Sequence, residues 1–127
     1  MIATDHAPHS VEEKSKGLKD SAMGIVGLET AFAAMHTHLV GKGIISMERL
    51  VELMSLNPRR VFGIEGGLNV GDRADIVILD TERKWRVDSQ KFYSQGKITM
   101  FDGRDMVGDV AMTIHRGEIV YENETRQ

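Results

Sequence analysis

A carboxylate and two imidazoles crowd together in Asp5-His6-Ala7-Pro8-His9, where the apolar, β-prone Ile2-Ala3-Thr4 breaks into a loop. A carboxylate delivered at a strand end stands where barrels and open α/β folds carry their reactive groups, and it can ligate a metal or move a proton. Neutral imidazole and carboxylate together are good donors for first-row metals. The other reading of Asp5 is a loop or helix cap beside a solvated histidine, and the short D-x-x-x-H spacing leaves both open. His6 and His9 flank Pro8, whose ring constrains the loop; His6 reads as structural support. One carboxylate does not hold a metal, because such sites use about three or four protein donors. His36 and His38 do not supply them. Two residues apart on a helix they face different directions, whereas an H-x-H pair ligates from a strand, where alternate side chains share a face. His115 flanks a turn and is expected to face solvent.

The elements that must position this cluster follow from the apolar pattern. Residues 10–24 are polar, Ser-rich and Gly-punctuated, and read as a loop of about fifteen residues. From Ile25 the positions Leu28, Ala31, Phe32, Met35 and Leu39 repeat at helical spacing, stopped by Gly41 and Gly43. Ser46 is an N-cap candidate for a second helix with Met47, Leu50, Val51 and Met54 on one stripe, ended by Asn57-Pro58 and followed by a short helical turn to Phe62. At Gly66-Gly67 helix gives way to sheet. The apolar run between Asp75 and Asp80 reads as a buried strand. Two further β-prone runs, 110–115 and 118–122, flank Arg116-Gly117, whose glycine suits a hairpin turn. Between the first strand and this hairpin, in the stretch from Trp85 to Phe101, Val87, Phe92, Ile98 and Phe101 are the expected buried positions.

The chain has 127 residues, 41% hydrophobic and 28% charged, with a formal net charge of −3 and no cysteine. These values describe one ordinary globular piece with no disulfide framework and no thiolate metal site. No apolar run is long enough to span a bilayer and the N-terminus lacks the pattern of a signal peptide, so the expected compartment is the cytoplasm. Lysines and arginines are scattered among acids, which argues against nucleic acid as a partner.

Thr4-Asp5-His6-Ala7-Pro8-His9 resembles the last-strand motif of class I bacterial dihydroorotases, members of the amidohydrolase superfamily. The resemblance continues through Met23-Gly24-Ile25-Val26-Gly27-Leu28-Glu29-Thr30, Asn57-Pro58-Arg59-Arg60-Val61-Phe62-Gly63 and Gly71-Asp72-Arg73-Ala74-Asp75-Ile76-Val77, and so covers essentially the whole chain. The last of these is shared widely among amidohydrolases; the Asp-His-Ala-Pro-His piece is the specific one. The resemblance implies an α/β fold: residues 1–65 as the last strand and C-terminal helices of a (β/α)8 barrel, and residues 66–127 as a segment of a small all-β sandwich domain. It implies that Asp5 is a ligand of a binuclear zinc centre and the general acid/base, that His9 holds the substrate carboxylate, and that Met23 and Gly24 meet the substrate through their backbone. The substrate would be dihydroorotate, interconverted with N-carbamoyl-aspartate in pyrimidine synthesis. Ser21-Ala22-Met23-Gly24 departs from the Ala-Pro-Phe-Gly more usual at that loop. The family's remaining metal and substrate ligands would lie upstream of Met1, so the isolated chain is expected to be inactive, to bind zinc poorly and to form a homo-oligomer through its uncovered helix stripes. The alternatives are a fragment of a hydantoinase or allantoinase, and a non-catalytic interaction module of the same ancestry.

Overall fold

The computed structural model describes residues 1–123. The last four residues of the 66–127 segment lie outside them.

The polar stretch expected as a plain loop contains two single helical turns, α1 (Val11–Lys14) and α2 (Gly17–Asp20). The first is nucleated by a capping box: the Ser10 hydroxyl accepts from the Glu13 amide at 3.1 Å, and the Glu13 carboxylate accepts from the Ser10 amide at 2.9 Å. The first long helix starts later than expected, with α3 (Ala31–Met35), because Ile25 pairs in parallel with His6 and the Val26 amide donates to the Ile98 carbonyl. It continues as a π-helical stretch, His36–Val40, closed by a bond from the Gly41 amide to the His36 carbonyl.

The second helix begins as α4 (Met47–Val51), with the Ser46 hydroxyl capping the Arg49 amide. It also widens into a π-helical stretch, Glu52–Leu56, before α5 (Asn57–Phe62). Asn57-Pro58 therefore does not end the helix as expected. In the wide turn the Asn57 amide bonds back to the Glu52 carbonyl, which frees the Leu53 carbonyl to accept the Ile2 amide at 2.9 Å. Pro58 then falls in the opening turn of α5, where its missing N–H and fixed φ are tolerated. The helix stops at Gly63, which takes the left-handed conformation.

Three antiparallel strands form one sheet in the order β1-β2-β3: β1 (Ile76–Arg86), β2 (Asp105–His115) and β3 (Glu118–Glu122). β1 runs past Asp80 because its pairing resumes beyond an irregularity at residues 81–83, where the Asp80 carboxylate accepts the amides of Glu82 and Arg83. The expected burial of its apolar run is only partial: Val77 and Ile78 are 53% and 41% exposed. The β2–β3 hairpin turns at Arg116-Gly117 with φ of 52° and 86°, a pair of positive values that matches the sheet's twist. Asp75 locks that turn, accepting the Arg116 amide at 2.9 Å beside Arg73 and His115.

The core lies between α3 and the sheet: Ala33, Ala34, Val87 and Met106 are buried, flanked by half-buried Met35, Trp85, Phe92 and Phe101. Gly108 brings the helix close, since a Cβ there would lie 2.9 Å from His36 Nδ1 and 3.0 Å from Phe32 Cε1. The helix is also bonded to β2. His36 Nδ1 lies 3.0 Å from the Val107 carbonyl, while the Thr37 hydroxyl donates to that carbonyl and accepts the Val107 amide. His36 is thus a core histidine whose Nδ1 carries the proton. Among the described residues no helix is long and apolar enough to cross a membrane.

Candidate functional site

Ile2, Ala3 and Thr4 do not form the expected strand. A strand is made by its neighbours, and among the described residues this segment forms a single β-bridge, His6 with Ile25, with the Ala7 amide donating to the Ile25 carbonyl at 2.9 Å, while the Ile2 amide is taken by a helix carbonyl, that of Leu53. Asp5 sits at the bend with φ of 48°, a left-handed conformation that aspartate accepts more readily than most residues. Its side chain is exposed and makes no hydrogen bond or ion pair with another described residue.

His6 turns inward. Its Nδ1 accepts the amides of Gly27 at 3.1 Å and Leu28 at 3.4 Å, so the neutral ring carries its proton on Nε2 and ties residues 5–9 to residues 24–28. Pro8 rests on the chain that precedes β2, where a Cβ on Gly96 would come within 2.8 Å of Pro8 Cβ. The Glu29 carboxylate anchors the same region by accepting the amides of Tyr93 and Ser94.

His9 and Gly24 meet. Gly24 has φ of 118°, and a Cβ there would lie 2.5 Å from Ala7 Cβ and 3.4 Å from His9 Cδ2, so only glycine permits this approach. The Met23 side chain points into solvent, 83% exposed. On its other side His9 Nδ1 lies 3.7 Å from the Glu13 carboxylate. That carboxyl is held below the usual range by its hydrogen bonds from Ser10, with a smaller contribution from His9.

Lys14, which the sequence did not single out, closes the arrangement. Its Nζ donates to the Ala22 carbonyl at 2.9 Å and to the Gly24 carbonyl at 2.8 Å. No spacing signal points to it, because the partners are backbone atoms eight and ten residues away.

The histidines outside this loop do not join it. His36 is committed to Val107, His38 is exposed, and His115 lies 3.0 Å from the Asp75 carboxylate at the hairpin. Among the described residues no three His, Asp or Glu side chains converge as a ligand set. Asp5 is one open donor where a metal site needs about three or four, so these residues by themselves do not fit a metal centre.

The profile of the amidohydrolase family matches residues 1–120. The chain is 47% identical over 122 residues to a dihydroorotase of Clostridium botulinum, covering 95% of this chain and 30% of that protein. It is 45% identical over 126 residues to a dihydroorotase of Bacillus thuringiensis, covering 98% of this chain and 29% of the relative. Among solved structures, the L-hydantoinase (dihydropyrimidinase) of Arthrobacter aurescens superposes with a TM-score of 0.85 at 43% identity, covering 93% of this chain and 28% of that one. A dihydropyrimidinase from Brevibacillus agri superposes with a TM-score of 0.84 at 27% identity, covering 94% and 28%. The chain spans less than a third of the length of the relatives it matches.

Proposed function

We propose, for a chain that belongs to the amidohydrolase family, that it is the C-terminal portion of a dihydroorotase, the zinc cyclic-amide hydrolase that interconverts dihydroorotate and N-carbamoyl-aspartate. In this reading residues 1–65 end the catalytic barrel and residues 66–127 belong to a small β-sandwich domain. The observation that carries it is the exposed Asp5 carboxylate, without a partner among the described residues and held at a left-handed bend four residues before the His9–Gly24 contact. The identity to dihydroorotases across nearly the whole chain supports the substrate.

Asp5 acts as general acid/base: an unpaired carboxylate is free to take a proton from the attacking oxygen and to hand it to the leaving ring nitrogen. It also serves as one metal donor. The further donors that a zinc site needs are not found around it among the described residues. His9 donates to the substrate carboxylate, and the backbone amides of Met23 and Gly24 add donors beside it. His6 holds the two segments in register.

A second reading, a fragment of a hydantoinase, is favoured by the 43% identity to the L-hydantoinase structure. The two are separated by steady-state kinetics of the full-length enzyme that carries this segment, with His9→Ala as the variant. Dihydroorotase predicts turnover of dihydroorotate over hydantoin, with KM for dihydroorotate raised about tenfold or more in the variant by loss of a charge-assisted hydrogen bond. Preference for hydantoin, with a KM indifferent to His9, would overturn it. This chain alone, supplied with zinc, should show no hydrolysis of dihydroorotate.

A further inference from the structure

We infer that Lys14 is a positioning residue for the substrate-facing edge of the 22–24 loop, an assignment that rests on the reading of His9, Met23 and Gly24 as substrate contacts. The two carbonyls that flank Met23 in the chain, those of Ala22 and Gly24, both accept from the single Lys14 ammonium. The amide N–H groups of Met23 and Gly24 have no acceptor among the described residues. One cation has therefore gathered the acceptors on either side of Met23 to one place, while the Met23 and Gly24 donors remain uncommitted among the described residues and a Cβ on Gly24 would lie 3.4 Å from His9 Cδ2. An edge of that kind suits a small carboxylate, which is repelled by carbonyl oxygens and attracted by amide hydrogens.

Two more bonds hold the clamp in place. The Ala22 amide donates to the Glu13 carbonyl at 3.0 Å, and the Ser21 hydroxyl donates to the Lys14 carbonyl at 2.8 Å. Glu13, the residue before the clamp, is the carboxylate beside His9. The single turn α1 thus addresses both halves of the proposed carboxylate site, Glu13 facing the imidazole and Lys14 holding the loop. Lys14 is half-buried, and two of its three donors are used on backbone carbonyls. It acts on the substrate through the loop.

The test is kinetic. In the full-length enzyme, Lys14→Met should raise KM for dihydroorotate about tenfold while kcat changes less than about threefold, because binding is weakened and the reacting groups are untouched. Lys14→Arg, which keeps the cation and its donors, should recover most of the loss. A KM unchanged in Lys14→Met overturns the inference, as does a loss of kcat alone that tracks the fraction of folded enzyme. His9→Ala runs in parallel: a KM raised there but not in Lys14→Met removes only the role of Lys14, whereas a KM unaffected by His9→Ala removes the substrate reading and this inference with it. If Lys14→Met does not fold, nitrogen-15 NMR of the native chain decides. A slowly exchanging Lys14 ammonium coupled to the Ala22 and Gly24 carbonyls supports the clamp, and a rapidly exchanging one overturns it.

Discussion

Gly24→Ala tests the close approach on which the loop geometry depends. The new Cβ would lie 2.5 Å from Ala7 Cβ and 3.0 Å from the Ala7 carbonyl oxygen, more than an ångström inside ordinary carbon contact for the first. Neither neighbour is a flexible tip, and Ala7 is held by its amide bond to Ile25. Overpacking of this kind costs roughly 1–3 kcal/mol. The backbone adds its own cost, because φ of 118° lies in a region nearly reserved for glycine, with a penalty of about 1–3 kcal/mol. Together they give an expected loss of about 2–6 kcal/mol. At an unfolding entropy of about 2.1 cal/mol/K per residue, a chain of 127 residues loses about 4 °C for each kcal/mol, so Tm should fall by about 8 °C or more. Gly17→Ala is the matched control: φ is 78° and nothing lies within 4 Å, leaving only a backbone penalty of about 1 kcal/mol, or about 4 °C. Thermal melts followed by circular dichroism compare the two. If Gly24→Ala melts within about 2 °C of Gly17→Ala, the approach of the two segments is not what requires glycine.

Trp85→Phe removes the indole bond to the Gly108 carbonyl, 2.9 Å long, and leaves that acceptor without its partner. A loss of about 1–3 kcal/mol should appear as a lower urea midpoint by circular dichroism, and an unchanged midpoint would refute the role of this bond. Asp75 is held below the usual carboxylate range, first by the Arg116 amide and then by Arg73. A lowered folded-state pKa stabilises above the unfolded value and is lost as pH falls through the folded one. Asp75→Asn should therefore lower the urea midpoint at pH 7 and approach the native protein as pH drops below about 4; a gap that widens in acid would contradict the sign. Leu28, Ile44, Val61, Phe62 and Leu68 are each at least 60% exposed. Apolar surface of that extent should drive self-association, and a monodisperse monomer by light scattering at high concentration would count against it.

The hairpin and the Ser46 cap were legible in the sequence because each depends on a few adjacent residues. Arg116-Gly117 carries its turn chemistry locally, and Ser46 needs only the amide of Arg49. The two turns before Ser21 were equally local, yet the Ser10–Glu13 box is followed by no apolar periodicity and so passed for loop. Non-local features were hidden. Nothing in the spacing shows that Ile25 pairs with His6, and that contact is what delays the first helix to Ala31. The continuation of the second helix through Pro58 depends on a wide turn that releases one carbonyl to Ile2, a partner some fifty residues away in sequence. In the candidate site, His9, Met23 and Gly24 were named through the resemblance as contacts of one substrate, but Lys14 was not. Its partners are main-chain oxygens, which every residue type supplies.

The two π-helical stretches mark where this fold absorbs changes of length. A π turn holds one residue more than the α turn it replaces, so removing a single residue from within 36–40 or 52–56 can be met by tightening that turn to α, with the flanking segments keeping their faces. Removing Ala31 or Phe32 instead rotates Ala33 and Ala34 by about 100° relative to the chain before them and carries them off the core. Single-residue gaps between this chain and its relatives should therefore gather in the wide turns. Pairing Thr37 and His36 with Val107 makes the first of them the costlier one to close.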